Sequence, residues 1–131
     1  MADLKELYDY VDAHAQEYIE LLQKFCRQPS ISAQNLGIRE MVDMIQEEMH
    51  SIGVNPEIIE TSGNPIIYAE LPGKNSERTL SFYNHYDVQP AEPLEEWKSD
   101  PFGAEIRDGK MYARGATDNK GSLLSRLCAV K

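Results

Sequence analysis

The sequence predicts an α/β fold: helices packed on a mixed, mostly parallel sheet with one β-hairpin. Three observations carry this expectation. Stretches with apolar residues spaced i, i+3, i+4, i+7 open and close the chain. Between them lie short apolar runs separated by Pro, Gly and Asn, which is how strands are punctuated. Asp108-Gly109 then falls between two such runs, a strong signal for a tight hairpin.

The first helix is expected over residues 3–27. Leu4, Leu7, Tyr8, Val11, Ala15, Tyr18, Ile19, Leu22, Phe25 and Cys26 keep the helical spacing, and Asp3 with Glu6 reads as a capping box. Pro29 ends the helix, and Pro29-Ser30-Ile31-Ser32 reads as a loop. A second helix is expected over 36–52, with Ile38, Met41, Val42, Ile45, Met49 and Ile52 on one face and Gly53 as its left-handed terminator. Strands are expected over 54–60, 66–71 and 79–83, the last suited by its apolar character to a central position. The hairpin is expected over 104–113, and a final apolar-faced helix over 122–131. That helix carries no Gly, Pro or capping signal at its end, so the reading expects part of a longer protein.

Composition narrows the partners. With 131 residues the chain is one domain or part of one, and 41% hydrophobic residues suffice for a core. A net charge of −9 argues against nucleic acid and against an anionic membrane surface, both of which demand a basic face. No run approaches the roughly 18 apolar residues of a spanning helix, and no apolar leader with a cleavage site opens the chain. Cys26 and Cys128 are too few and too far apart for a disulfide framework; both read as buried thiols in a reducing, cytoplasmic compartment.

The chemistry-bearing residues concentrate between Ser81 and Gly121. The run Leu80, Phe82, Tyr83 delivers His85 and Asp87 to its end, where strand geometry would place their side chains on one face about 7 Å apart. An imidazole there binds a metal, and a neighbouring carboxylate accepts the ring's other N–H. The same two residues also suit a strand end with a capping aspartate. Asp118 follows Gly115-Ala116-Thr117 at a helix start, fitting either a metal-bridging carboxylate or an ordinary N-cap. Arg114 suits a substrate carboxylate or a hairpin salt bridge. His14 and His50 lie off the apolar stripes and read as solvated, Glu95-Glu96 as a solvated loop, and Trp97 with Pro101 and Phe102 as an apolar plug.

Order and context together go further. His85-Tyr86-Asp87-Val88-Gln89-Pro90, followed by the hairpin and Ala113-Arg114-Gly115-Ala116-Thr117-Asp118, resembles a co-catalytic zinc metallopeptidase family. That family includes non-specific dipeptidases, carnosinases, acetylornithine deacetylase, succinyl-diaminopimelate desuccinylase and glutamate carboxypeptidase. The motifs are most similar to the dipeptidase and carnosinase branch, and the resemblance runs from the first helix through Gly121. It implies two zinc ions, or Mn or Co, with His85 a ligand of one, Asp118 bridging both and Asp87 orienting His85. It also implies a metal-bridging water attacking a peptide or N-acyl amide bond, with small peptides or N-acyl amino acids as substrates, and it leaves a homo-oligomer open.

The family pattern continues beyond what this sequence holds. A Glu-Glu pair with the general base, a further carboxylate, a late histidine and a lid or dimerisation domain have no match before Lys131. Residues 1–131 are therefore expected to be the N-terminal portion of a metallopeptidase catalytic domain, inactive alone. The competing expectation is a non-catalytic truncated α/β module that self-associates or binds a partner through an unpaired sheet edge and apolar faces.

Overall fold

The computed structural model describes residues 4–74 and 77–131. The elements are α1 (Leu4–Arg27), a 3-10 turn (Ser32–Gln34), α2 (Ile38–Ser51), β1 (Glu57–Ile59), β2 (Ile66–Tyr68), a second 3-10 turn (Leu94–Glu96), β3 (Glu105–Arg107), β4 (Lys110–Tyr112) and α3 (Lys120–Val130). The expected cap Asp3 lies outside the described residues. The α/β class holds, as helices over small sheets.

The core forms where the three helices meet. Phe25 of α1, Met41 and Ile45 of α2, and Leu123 and Leu124 of α3 are buried together, and Ile67 of β2 and Tyr86 pack against them. Only the C-terminal third of the α1 stripe is used: Leu4, Leu7, Tyr8 and Val11 are exposed. The end of α2 follows the expected chemistry. Gly53 N–H donates to His50 O at 3.0 Å and Val54 N–H to Met49 O at 2.9 Å, the paired bonds of a Schellman terminator. The helix begins two residues later than expected, because Leu36 pairs with Ile31 in an antiparallel bridge.

The sheet departs from expectation. The strands form two antiparallel pairs, β1 with β2 (Ile58 opposite Ile67) and β3 with β4 (Ile106 opposite Met111), rather than one mostly parallel sheet. Among the described residues the one parallel contact is the bridge between Ile31 and Val88. Residues 79–83 make no ladder, and Leu80, Phe82 and Tyr83 are exposed. An apolar run becomes a strand only when a neighbour takes up its N–H and C=O groups. Here the Tyr83 carbonyl goes instead to Arg126 of α3 at 3.0 Å. The hairpin forms as expected, with Asp108 and Gly109 at φ 50° and 72°, the hand that matches strand twist.

Two smaller expectations also change. His14 is half-buried between Tyr10 and Tyr18, with ring centroids 4.1 and 6.0 Å away, because the i, i+4, i+8 spacing stacks the three rings. Cys26 is fully buried but Cys128 only half so, and both are free thiols.

One buried charge joins these parts. Lys120, at the start of α3, has no exposed surface, and its Nζ donates to Phe25 O at 3.0 Å and Gln28 O at 2.6 Å. These are carbonyls at the C-terminal end of α1, where a cation also meets the negative end of the helix dipole. Burial pulls the ammonium down to about 8, still mostly charged at neutral pH. Lys120→Met is expected to lower stability by about 2 kcal/mol, since it removes two charge-assisted hydrogen bonds and leaves Gln28 O without its donor, while Phe25 O keeps the Gln28 N–H at 3.3 Å. A base with a lowered folded pKa binds fewer protons folded than unfolded above that value, so its contribution rises with pH. Urea unfolding at pH 7.5 and pH 9 should show the wild-type advantage over Lys120→Met growing at the higher pH.

Candidate metal centre

The three residues singled out by the sequence come together. His85 Nε2 lies 2.9 Å from Asp118 Oδ1, and His85 Nδ1 lies 3.1 Å from Asp87 Oδ1 and 3.0 Å from the Asp87 carbonyl. The His85 side chain is 40% exposed, Asp87 33% and Asp118 82%, so the site opens to solvent on the Asp118 side. A cavity of about 350 Å³ lies over it, bounded by His85, Asp87, Gln89, Arg114, Gly115 and Asp118 among others.

Each donor is delivered by a different local device. His85 and Asp87 are held by the segment after α1: Val88 N–H donates to Ser30 O at 2.8 Å and the buried Ser30 Oγ to Tyr86 O at 2.8 Å. Ser32 Oγ donates to Asp87 Oδ2 at 2.5 Å. Residues 30–32, expected as part of a loop, thus run alongside the His85 segment. The signal was a Ser-Ile-Ser alternation, a period of two matching the His-Tyr-Asp spacing opposite it. Arg126 of α3 donates to Asn84 Oδ1, steadying the chain just before His85.

Asp118 is aimed by the tight loop before α3. Gly115 sits at φ 84°, and a Cβ there would fall 2.6 Å from Val88 Cγ1, so only glycine lets the loop reach the His85 segment. Lys120 N–H closes the loop onto Gly115 O at 3.0 Å. The N-cap of α3 is Asn119, not Asp118, and it makes no side-chain capping bond. That leaves the Asp118 carboxylate facing His85 rather than the helix. The Asp118–Asn119 peptide bond is cis.

Among the described residues Arg114 has no ion-pair partner. Its guanidinium carbon lies 5.4 Å from the centroid of the Trp97 ring, and its buried Nε has no acceptor. Trp97 is anchored by its Nε1–H donating to Ala91 O at 2.8 Å, and with Pro101 and Phe102 it lines an open apolar recess, where the sequence suggested a filled plug. Glu95 and Glu96 are exposed, as is His50.

The electrostatics of His85 are those of a ring between two carboxylates. Partial burial pulls its pKa down, but the hydrogen bonds to Asp118 and to the Asp87 backbone, with the charges of both aspartates, outweigh that and leave it above 6.5. An imidazole nitrogen and a carboxylate oxygen at hydrogen-bond distance, with the second ring nitrogen on another carboxylate, is a donor arrangement that suits a divalent cation. Among the described residues no group of three or more His, Cys, Asp or Glu side chains comes together as a metal cage.

Residues 81–131 match peptidase family M20/M25/M40. The chain is 32% identical to the mouse Beta-Ala-His dipeptidase across 97% of its own length and 29% of that protein's. It is 31% identical to a Cys-Gly metallodipeptidase of Schizosaccharomyces pombe, over 98% of this chain and 30% of that one. Human carnosine dipeptidase 1 superposes with a TM-score of 0.88 at 30% identity, covering 98% of this chain and 30% of the other. A metallo-carboxypeptidase from Sulfolobus solfataricus gives a TM-score of 0.83 at 45% identity, over 87% of this chain and 26% of that one. The chain belongs to the M20 peptidase family, and it spans less than a third of the length of these relatives.

Gly115→Ala should lower stability by about 2–3 kcal/mol, combining a left-handed backbone with a clash against Val88. Chemical denaturation measures it, and a change under about 0.5 kcal/mol, the range of neutral surface substitutions, would contradict the close approach.

Proposed function

We propose that this chain supplies the first half of the metal centre of a dipeptidase-like hydrolase, with His85 and Asp118 as metal donors and Asp87 as the residue that orients His85. The observation that supports this reading is the 2.9 Å approach of His85 Nε2 to Asp118 Oδ1 while Nδ1 faces Asp87. Zinc suits this donor set, two ions in a complete site, and Mn or Co takes the same ligands. When bound, such ions polarise a scissile carbonyl and acidify water.

The chain's own residues have separate tasks in this reading. Asp87 keeps the proton on Nδ1, leaving the Nε2 lone pair for metal. Asp118, open on the cavity side, has a second carboxylate oxygen free to be shared with another ion. Arg114, the cation lining the cavity, holds the carboxylate of a small peptide or N-acyl amino acid; the dipeptidase and carboxypeptidase names of the relatives support a substrate of that kind. The two free thiols fit a cytoplasmic setting. No helix among the described residues is long and apolar enough to cross a membrane.

Catalysis also demands a general base and more ligands than these residues provide, since a catalytic zinc takes about three protein donors. The purified chain with added Zn²⁺, Mn²⁺ or Co²⁺ is therefore expected to leave dipeptides intact. Turnover that disappears in His85→Ala would overturn that. In a zinc titration followed by amide NMR, shifts should centre on His85, Asp87 and Asp118 and vanish in His85→Ala and Asp118→Ala. A response that survives both substitutions would place the metal elsewhere.

A second reading, a self-associating or partner-binding module, draws support from the exposed Leu7, Tyr8 and Val11 of α1 and from Leu80 and Tyr83. Light scattering tests it, and a monomer at high concentration would count against self-association.

A further inference from the structure

Most contacts between the segment after α1 and the His85 segment run backbone to backbone or to a backbone carbonyl. Ser32 is different. Its hydroxyl donates to one oxygen of the Asp87 carboxylate at 2.5 Å, and the other oxygen lies 3.1 Å from His85 Nδ1. His85 Nε2 in turn faces Asp118 at 2.9 Å. Ser32, Asp87, His85 and Asp118 form one continuous line of polar groups at hydrogen-bond distance, anchored at one end on the 3-10 turn Ser32–Gln34 and ending at the open cavity.

We propose that Ser32 is a positioning residue for His85, acting through Asp87. The terminal torsion of an aspartate is broad, so a carboxylate held at one oxygen turns readily. Asp87 is a third exposed, and water competes for it. With Ser32 on Oδ2 the carboxylate plane is fixed, and Oδ1 stays on the Nδ1 side of the imidazole. The ring is then held with Nε2 toward Asp118. The Asp87 carbonyl, 3.0 Å from Nδ1, gives the ring a second acceptor, so loss of Ser32 loosens the ring without releasing it. The hold on the ring stands on this geometry alone; its consequence for metal rests on the reading of His85 and Asp118 as donors.

The test compares Ser32→Thr, which keeps the hydroxyl, with Ser32→Val, which has the shape of threonine without the hydroxyl. In the metal-free chain at one fixed pH, exchange of the His85 Nδ1–H with water is followed by NMR. The expected result is exchange about tenfold faster in Ser32→Val, the equivalent of one net hydrogen bond, with Ser32→Thr close to wild type. In an Asp87→Ala background, Ser32→Val should add nothing, because the path through the carboxylate is already gone. Ser32→Ala serves equally if valine disturbs folding. Unchanged exchange in the hydroxyl-free variants, or an equal effect without Asp87, overturns the proposal. Zinc affinity provides a separate arm: about tenfold weaker in Ser32→Val and recovered in Ser32→Thr. A wild-type chain with no zinc response, but with the exchange pattern intact, contradicts the metal reading and upholds the role of Ser32.

Discussion

The arrangement depends on how the C-terminal end of α1 is finished. A helix end leaves carbonyls short of partners, and here the buried ammonium of Lys120 donates to Phe25 O, in the last turn, and to Gln28 O, just past it. Lys120 stands two residues after Asp118, so the same contact that closes α1 also docks the loop bearing one of the candidate donors. The next residues of the chain, Ser30 to Ser32, run beside 86–88 and hold the other. Both halves of the site therefore hang from one helix end. Phe25, on the last turn of that helix, is in the core with Met41, Ile45 and Leu124. Packing, capping and the site meet within a few residues.

What the sequence disclosed and what it hid divide along one physical line. Local devices were legible: the spacing of α1 and α2, the Gly53 terminator and the Asp108-Gly109 turn depend on neighbours a few residues away, so their signals are written in consecutive letters. The strand at 79–83 was not settled by its letters, because a strand exists only with a partner and an apolar run cannot name one. Lys120 was invisible for a related reason. A charged residue at a helix start reads as solvated, and only the far end of another helix makes its burial favourable. Motif order brought out His85, Asp87 and Asp118, which the structure places within hydrogen-bond distance of one another, while the contact of Ser32 with Asp87 was hidden in what looked like a connecting loop.

The surface is uneven in a way that follows from the same architecture. Around the helix junction, side chains are packed and polar atoms mostly paired. Away from it, the first half of α1 and residues 80–83 present large apolar groups to solvent. Buried polar atoms without partners, Arg114 Nε and Asn119 Oδ1, flank the Asp118 loop. Of these two residues Arg114 also lines the cavity over His85.

The most direct test of the central claim is a zinc-edge anomalous difference map from crystals of the chain grown in zinc. The account predicts a peak in contact with His85 Nε2 and the Asp118 carboxylate, with Nδ1 still on Asp87. A peak ligated elsewhere, or none while His85 and Asp118 remain in direct contact at millimolar zinc, would contradict it.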